Sequence, residues 1–382
     1  MCAELALCFH RQLTVGIVCD DKFELEIQWR AISVGSSSVQ DLRWCSPAHC
    51  AAPGIGVGNK GIKRSTREHG SVRKAAVDGA EVSDSALQVI TSPSGGADGL
   101  ATQLSQLSSE RSVQRVIPAL GQRIRVSVRA GSGVPLVLCN GIGASLEALD
   151  PLVDQLNPDT TVVRFDVPGI GGSADSPLPY SFPYLAVVLG RVLSAVGLGG
   201  EGIDVLGLSW GGALAQQFAF QNPRRCRHLI LVSTGVGIGM VPGRPAVLSK
   251  LLTPRRFLDQ DYAASIAGEL YGGSARTDMP MVKLLFDRQL LAGSVVGYAH
   301  QLLAASAWSS LFALPLIRQP TLIVAGTDDP IVPVANARIM GRLLPHATMH
   351  LHDGGHVDLV ADAAAFTPLI ESFRKEQHSC VR

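Results

Sequence analysis

Short apolar runs rich in β-branched residues recur from about Val113 onward: PLVLC (135–139), TVVRF (161–165), IDVLG (203–207), HLILVS (228–233) and TLIVAG (321–326). Runs of this length, apolar at nearly every position, predict strands buried on both faces. RIRVSVR (123–129) alternates polar and apolar instead, as an edge or hairpin strand does. Helix-compatible stretches lie between most of them, Pro183 to Val196 and Gly212 to Gln221 among them, and this β-α-β rhythm predicts an α/β fold with a mainly parallel central sheet flanked by helices. One interval, Gly235 to Arg318, is helix-compatible but too long for a simple crossover. It predicts a helical cap inserted over the C-terminal edge of the sheet.

Residues 1–111 follow neither period. They hold a basic patch, KGIKRSTREHGSVRK (60–74), and a Ser-, Gly- and Ala-rich stretch (83–110). Such composition offers little apolar surface to offset chain entropy, so a poorly structured extension is expected there and the folded domain over 112–378. The basic patch reads as a solvated charge run.

Composition narrows the class. With 382 residues, 46% of them hydrophobic, the chain can bury a sizeable core. A net charge of +1, from 33 basic and 32 acidic side chains, gives no reason to expect a nucleic-acid partner. The N-terminus lacks the basic and apolar segments of a secretory signal. The longest stretch free of Asp, Glu, Lys and Arg, Gln289 to Ile317, is broken by Ser294, His300, Gln301, Ser309 and Pro315, so no transmembrane segment is expected and the compartment is read as cytoplasmic. Cys45, His49 and Cys50 in CSPAHC have no second ligand pair at zinc-site spacing, so neither metal nor cofactor is expected.

Candidate chemistry enters at GLSWG (207–211). A serine between glycines at a strand-to-helix junction fits the sharp turn G-x-S-x-G, which lifts the hydroxyl above the sheet and leaves no room for side chains beside it. A serine is a weak nucleophile until an oriented base takes its proton. Downstream, AGTDDPIVPV (325–334) sets Asp328 and Asp329 directly after an apolar run. Asp329 is placed to aim back at the sheet, while Asp328 suits a turn cap or solvent. HLHDGGHVDLV (350–360) puts His356 in a glycine loop; His350 and His352 share a strand face and His346 follows Pro345 in a turn. Ser209, Asp329 and His356 therefore fall in the chain order of an α/β-hydrolase triad. LCNGIGAS (138–145) offers the backbone N–H of Ile142 to an oxyanion, and Trp210 offers a second at a helix N-terminus. FDVPGIGGSADSP (165–177) has neither a phosphate loop's Lys-Ser/Thr nor dinucleotide spacing, so Asp166 and its glycines read as scaffold.

Across about 113–376 the chain resembles the α/β-hydrolase superfamily. Within it, FDVPGIGGS, GLSWGGALAQQFA, VPGRPAVL, YGGS, QPTLIVAGTDDPIVP and DGGH are similar to the intracellular medium-chain-length polyhydroxyalkanoate (PHA) depolymerases. The resemblance implies Ser209 as nucleophile, Asp329 as orienting acid and His356 as base, acting on a 3-hydroxyacyl polyester stored as granules. A serine at 209 departs from the related polyester synthases, which carry cysteine. The first 111 residues match nothing in the family. Tyr298, Trp308 and Phe312, in the uncharged stretch, either line an apolar entrance for alkyl side chains, meet a granule surface, or pack the cap helices together. A small-molecule carboxylesterase or lipase, or a C–C bond or lactone hydrolase, would use the same triad.

Overall fold

Each apolar run becomes a strand of one eight-stranded sheet. The computed structural model of the chain describes residues 18–19, 25–26, 112–200, 202–252, 255–278 and 293–376. The chain divides into two units, Met1–Asp84 and Ser85–Arg382; in the first, Val18–Cys19 pairs antiparallel with Leu25–Glu26. Apart from these four residues, the expectation for 1–111 lies outside the described residues, as do Cys45, His49 and Cys50.

The strands are β1 (Ser112–Ala119), β2 (Gln122–Arg129), β3 (Leu136–Cys139), β4 (Val162–Phe165), β5 (Ile203–Leu208), β6 (Cys226–Val232), β7 (Thr321–Gly326) and β8 (Ala347–His352). Their order is β8-β7-β6-β5-β3-β4-β2-β1. β3 to β8 pair in parallel; β2 pairs antiparallel with both β4 and β1. RIRVSVR is thus one arm of a hairpin, and the edge on that side belongs to β1, whose Val113 and Val116, on opposite faces, are about half exposed.

Side-chain alternation sorts the central strands onto two faces. Val137, Val205, Leu229, Leu231 and Ile323 join one core, while Leu138, Leu206, Ile230, Leu322 and Val324 join the other. Both faces are covered, which is why these runs carry no polar alternation. The helices are α1 (Asp150–Gln155), α2 (Phe182–Ala195), α3 (Trp210–Gln221), α4 (Pro245–Leu251), α5 (Arg255–Leu258), α6 (Gln260–Tyr271), α7 (Val295–Ser306), α8 (Ala335–Leu343), α9 (Asp358–Ala361) and α10 (Ala363–Lys375). α2, α3 and α8 fill the first face; α1 and α10 fill the second. Ser181 caps α2 through the Tyr184 N–H, and Pro183 sits in its first turn, where a missing N–H costs nothing.

α4 to α7 form the helical insertion between β6 and β7, and residues 279–292 within it lie outside the described set. α7 docks on the loop after β4. Ser294 donates its N–H to Gly169 O at 2.9 Å, and a Cβ at Gly297 would lie 2.3 Å from that same oxygen. Only a glycine permits so close a crossing.

Candidate active site

The turn after β5 is built by exclusion. Ser209 has φ 53° and ψ −119°, a conformation non-glycine residues rarely hold. Its neighbours keep it there. The Ser209 N–H donates to Val232 O at 2.9 Å, and Thr234 Oγ1 donates to Ser209 O at 2.7 Å. A Cβ at Gly207 would lie 2.4 Å from Gly211 O, one at Gly211 would lie 2.1 Å from Cys139 O, and one at Gly212 would strike Thr234. α3 begins at Trp210, two residues earlier than the apolar pattern suggested.

Three of the residues singled out in the sequence meet here. His356 Nε2 stands 2.8 Å from Ser209 Oγ, and His356 Nδ1 stands 2.7 Å from Asp329 Oδ2. The other Asp329 oxygen accepts the N–H groups of Ile331 and Val332, each at 2.9 Å, which fixes the carboxylate plane. The His356 and Asp329 side chains are 6% and 1% exposed. The His356 N–H donates to Tyr271 O at 2.7 Å, and the Tyr271 ring stacks over the imidazole. With Nδ1 hydrogen-bonded to a carboxylate, Nε2 is the nitrogen that can accept the serine proton.

The rejected alternatives sit elsewhere. Asp328 accepts from the Gly273 N–H and from Arg276, whose guanidinium holds the carboxyl below the ordinary carboxylate range. It ties the β7 loop to the insertion. His346 and His350 are exposed, and His352 packs edge-on against Phe366.

The loop after β3 lies against the serine: a Cβ at Gly141 would touch Ser209 Cβ at 3.7 Å. Asp166 anchors the base of this loop by accepting the Leu146 N–H at 2.7 Å and the Gly172 N–H at 2.8 Å, beside Arg125. Burial pushes its carboxyl above the ordinary value despite the opposing Arg125 charge. One residue of the insertion holds both candidate oxyanion elements. Gln301 of α7 accepts the Gly143 N–H on Oε1 at 2.7 Å, and its backbone carbonyl accepts Trp210 Nε1–H at 2.9 Å. In the sequence Gln301 registered only as a polar interruption.

Two cavities meet at Ser209. The larger, about 380 Å³, is apolar and includes Trp210, Ala213, Ile238, Met240 and Trp308. The smaller, about 80 Å³, includes His356, Tyr271, Val357, Val360 and Arg256. Of the three aromatic residues read from the insertion, only Trp308 lines a cavity beside the serine, with Nε1 donating to Gln217 at 2.7 Å. Tyr298 is buried behind Arg256 and donates to Leu251 O at 2.5 Å. Phe312 is 89% exposed and lines neither cavity, which corrects its reading as part of the entrance. Arg256 was not singled out in the sequence, because nothing in its neighbourhood marks it as buried. Among the described residues, no cluster of three or more His, Cys, Asp or Glu could hold a metal, and no helix is long and apolar enough to cross a membrane.

The chain is 42% identical over 265 residues to the poly(3-hydroxyalkanoate) depolymerase of Ectopseudomonas oleovorans, covering 69% of this chain and 93% of that one. Among solved structures it resembles an esterase from Exiguobacterium antarcticum (TM-score 0.60, 20% identity, 69% of this chain and 100% of that one). It also resembles the enol-lactonase from Burkholderia xenovorans (TM-score 0.58, 20% identity, the same shares of each chain). Residues 134–363 match the alpha/beta hydrolase fold. The chain belongs to the alpha/beta hydrolase fold family, and it is an ester-cleaving hydrolase.

Proposed function

We propose that this hydrolase is a poly(3-hydroxyalkanoate) depolymerase, cleaving medium-chain-length polyester in the cytoplasm at the surface of storage granules through an acyl-enzyme on Ser209. The observation that carries the reading is an apolar cleft of about 380 Å³ opening directly on the hydrogen-bonded Ser209–His356–Asp329 chain, in a sequence 42% identical to a protein of that activity. A cleft walled by Trp308, Met240 and Ile238 suits an alkyl side chain, at about 0.8 kcal/mol for each methylene buried. The exposed Phe312 supports contact with an apolar granule.

The distances support the following reaction. His356 Nε2 takes the proton of Ser209 as Oγ bonds to the ester carbonyl carbon, and Asp329 stabilises the imidazolium through Nδ1. The Ile142 and Trp210 N–H groups receive the oxyanion. The C–O bond to the 3-oxygen then breaks, and that oxygen leaves with the proton held by His356. Water, deprotonated by the same imidazole, adds to the acyl carbon, and collapse returns the proton to Ser209.

The test is release of soluble 3-hydroxyacids from an amorphous medium-chain polyester emulsion, beside p-nitrophenyl octanoate, with Ser209→Ala as control. Polyester turnover that vanishes in the variant is expected. Turnover of the small ester alone would make the protein a carboxylesterase instead.

A further inference from the structure

We infer that Arg256 binds a carboxylate on the leaving-group side of Ser209, so that the favoured substrate is the carboxyl-terminal unit of a 3-hydroxyacid ester chain. This rests on the depolymerase reading and deepens it, by naming which bond of the polymer is cut first.

Arg256 is 3% exposed, yet it is one of the residues that line the smaller cavity, together with Ser209 and His356. Three separate elements set its position. Nη1 donates to the Tyr271 hydroxyl of α6 at 2.7 Å; Nη2 donates to the Tyr298 hydroxyl of α7 at 3.3 Å and to Ile142 O, in the loop after β3, at 3.5 Å. A guanidinium stays ionised at any working pH, and its planar fork matches the two oxygens of a carboxylate better than one ester carbonyl.

Chemistry assigns the two cavities. The imidazole must give its proton to the departing oxygen, so the leaving unit lies where His356 lies, in the smaller cavity. The acyl unit then occupies the apolar cleft beside Trp210, which carries the second oxyanion N–H. In a 3-hydroxyacid ester, the departing oxygen is on C3, and the next carboxyl carbon is only two carbons away. Inside a polymer that carbon is a neutral ester. At the chain end it is a carboxylate, within reach of a cation in the same small cavity.

The step balances. Ser209 Oγ bonds to the penultimate carbonyl carbon, the bond from that carbon to the terminal unit's O3 breaks, and the serine proton passes through His356 to O3. A free 3-hydroxyalkanoate leaves. Water then hydrolyses the acyl-enzyme and leaves a new carboxylate on the shortened chain, which presents the same end group again.

Linear dimers of 3-hydroxyoctanoate, as the free acid and as the methyl ester, test this. For the wild-type protein, kcat/KM for the free acid should exceed that for the methyl ester by about 30- to 100-fold, the range expected of a charge-assisted pair in a buried site. In Arg256→Gln the ratio should fall to about one, and in Arg256→Lys to an intermediate value. Equal turnover of acid and ester by the wild type overturns the inference, even should the variants not fold, and so does an unchanged ratio in a folded Arg256→Gln. Cleavage of neither dimer, with p-nitrophenyl octanoate still hydrolysed, removes the depolymerase reading and the inference with it.

Discussion

Two buried carboxylates lie beside histidines at opposite ends of the parallel strands, and their other partners give them different roles. Asp204, at the start of β5, accepts two hydrogen bonds from Arg227 and one from Arg374, each at 2.8 Å, with His228 Nδ1 at 3.2 Å. Burial pushes its carboxyl up, but the His228 and Arg227 hydrogen bonds and the Arg374 and Arg227 charges outweigh it and hold the group at about 2. Asp329, after the end of β7, is gripped by two backbone N–H groups and offers its remaining oxygen to His356. Cations neutralise Asp204 and lock strand β5 to β6 and α10. Amides orient Asp329 without supplying a counter-charge, so it remains available to an imidazolium that forms during reaction. An Asp beside a His is therefore no signature by itself; what holds the carboxylate decides.

The strongest way to break this contrast is at the reacting end. Ser209→Ala and His356→Ala should each lower kcat by about 10⁴-fold or more, and Asp329→Asn by about 10⁴-fold, with thermal midpoints close to wild type. Steady-state kinetics beside a melting curve checks both halves. Asp204→Asn should do the reverse, costing about 3–5 kcal/mol of stability in urea unfolding because Arg374, its side chain 8% exposed, loses its counter-charge, while folded protein keeps its activity.

A pH series sharpens the same point. Asp204 titrates near 2 in the folded protein against an ordinary 3.8, so its stabilisation, about 2 kcal/mol, is fully present above roughly pH 4 and lost as pH falls towards 2. Acid unfolding followed by circular dichroism should show that loss in the wild type and not in Asp204→Asn. The smallest expected effect is Gln301→Leu, which removes the acceptor for the Gly143 N–H and keeps the carbonyl that receives Trp210. As a positioning change it should lower kcat about tenfold with KM nearly constant, less than the hundredfold or more typical of losing an oxyanion donor outright.

Legibility in the sequence follows the range of the interactions. The central strands, the Ser209 turn and the Asp329 and His356 loops were readable because each is specified by a few adjacent residues: β-branched runs, flanking glycines, a loop directly after a strand. Asp329, not Asp328, is the carboxylate beside His356, and its position too is set locally, by the N–H groups of residues two and three positions on. Strand β1 was not named, because its exposed Val113 and Val116 blur the alternation that marks an edge. Gln301 and Arg256 stayed hidden for another reason. Their partners, Gly143 and Trp210 for one and Tyr271, Tyr298 and Ile142 for the other, come from distant segments joined only by the fold. Phe312 looked like its aromatic neighbours in sequence, and only its exposure separates it from Trp308.

Whether Ser209 is the activated nucleophile is tested most directly by mass spectrometry of the protein after reaction with a fluorophosphonate. One phosphonyl group per chain is expected, on Ser209, formed far more slowly in His356→Ala and absent in Ser209→Ala. A folded, unlabelled wild type, or a label on another serine, would contradict it.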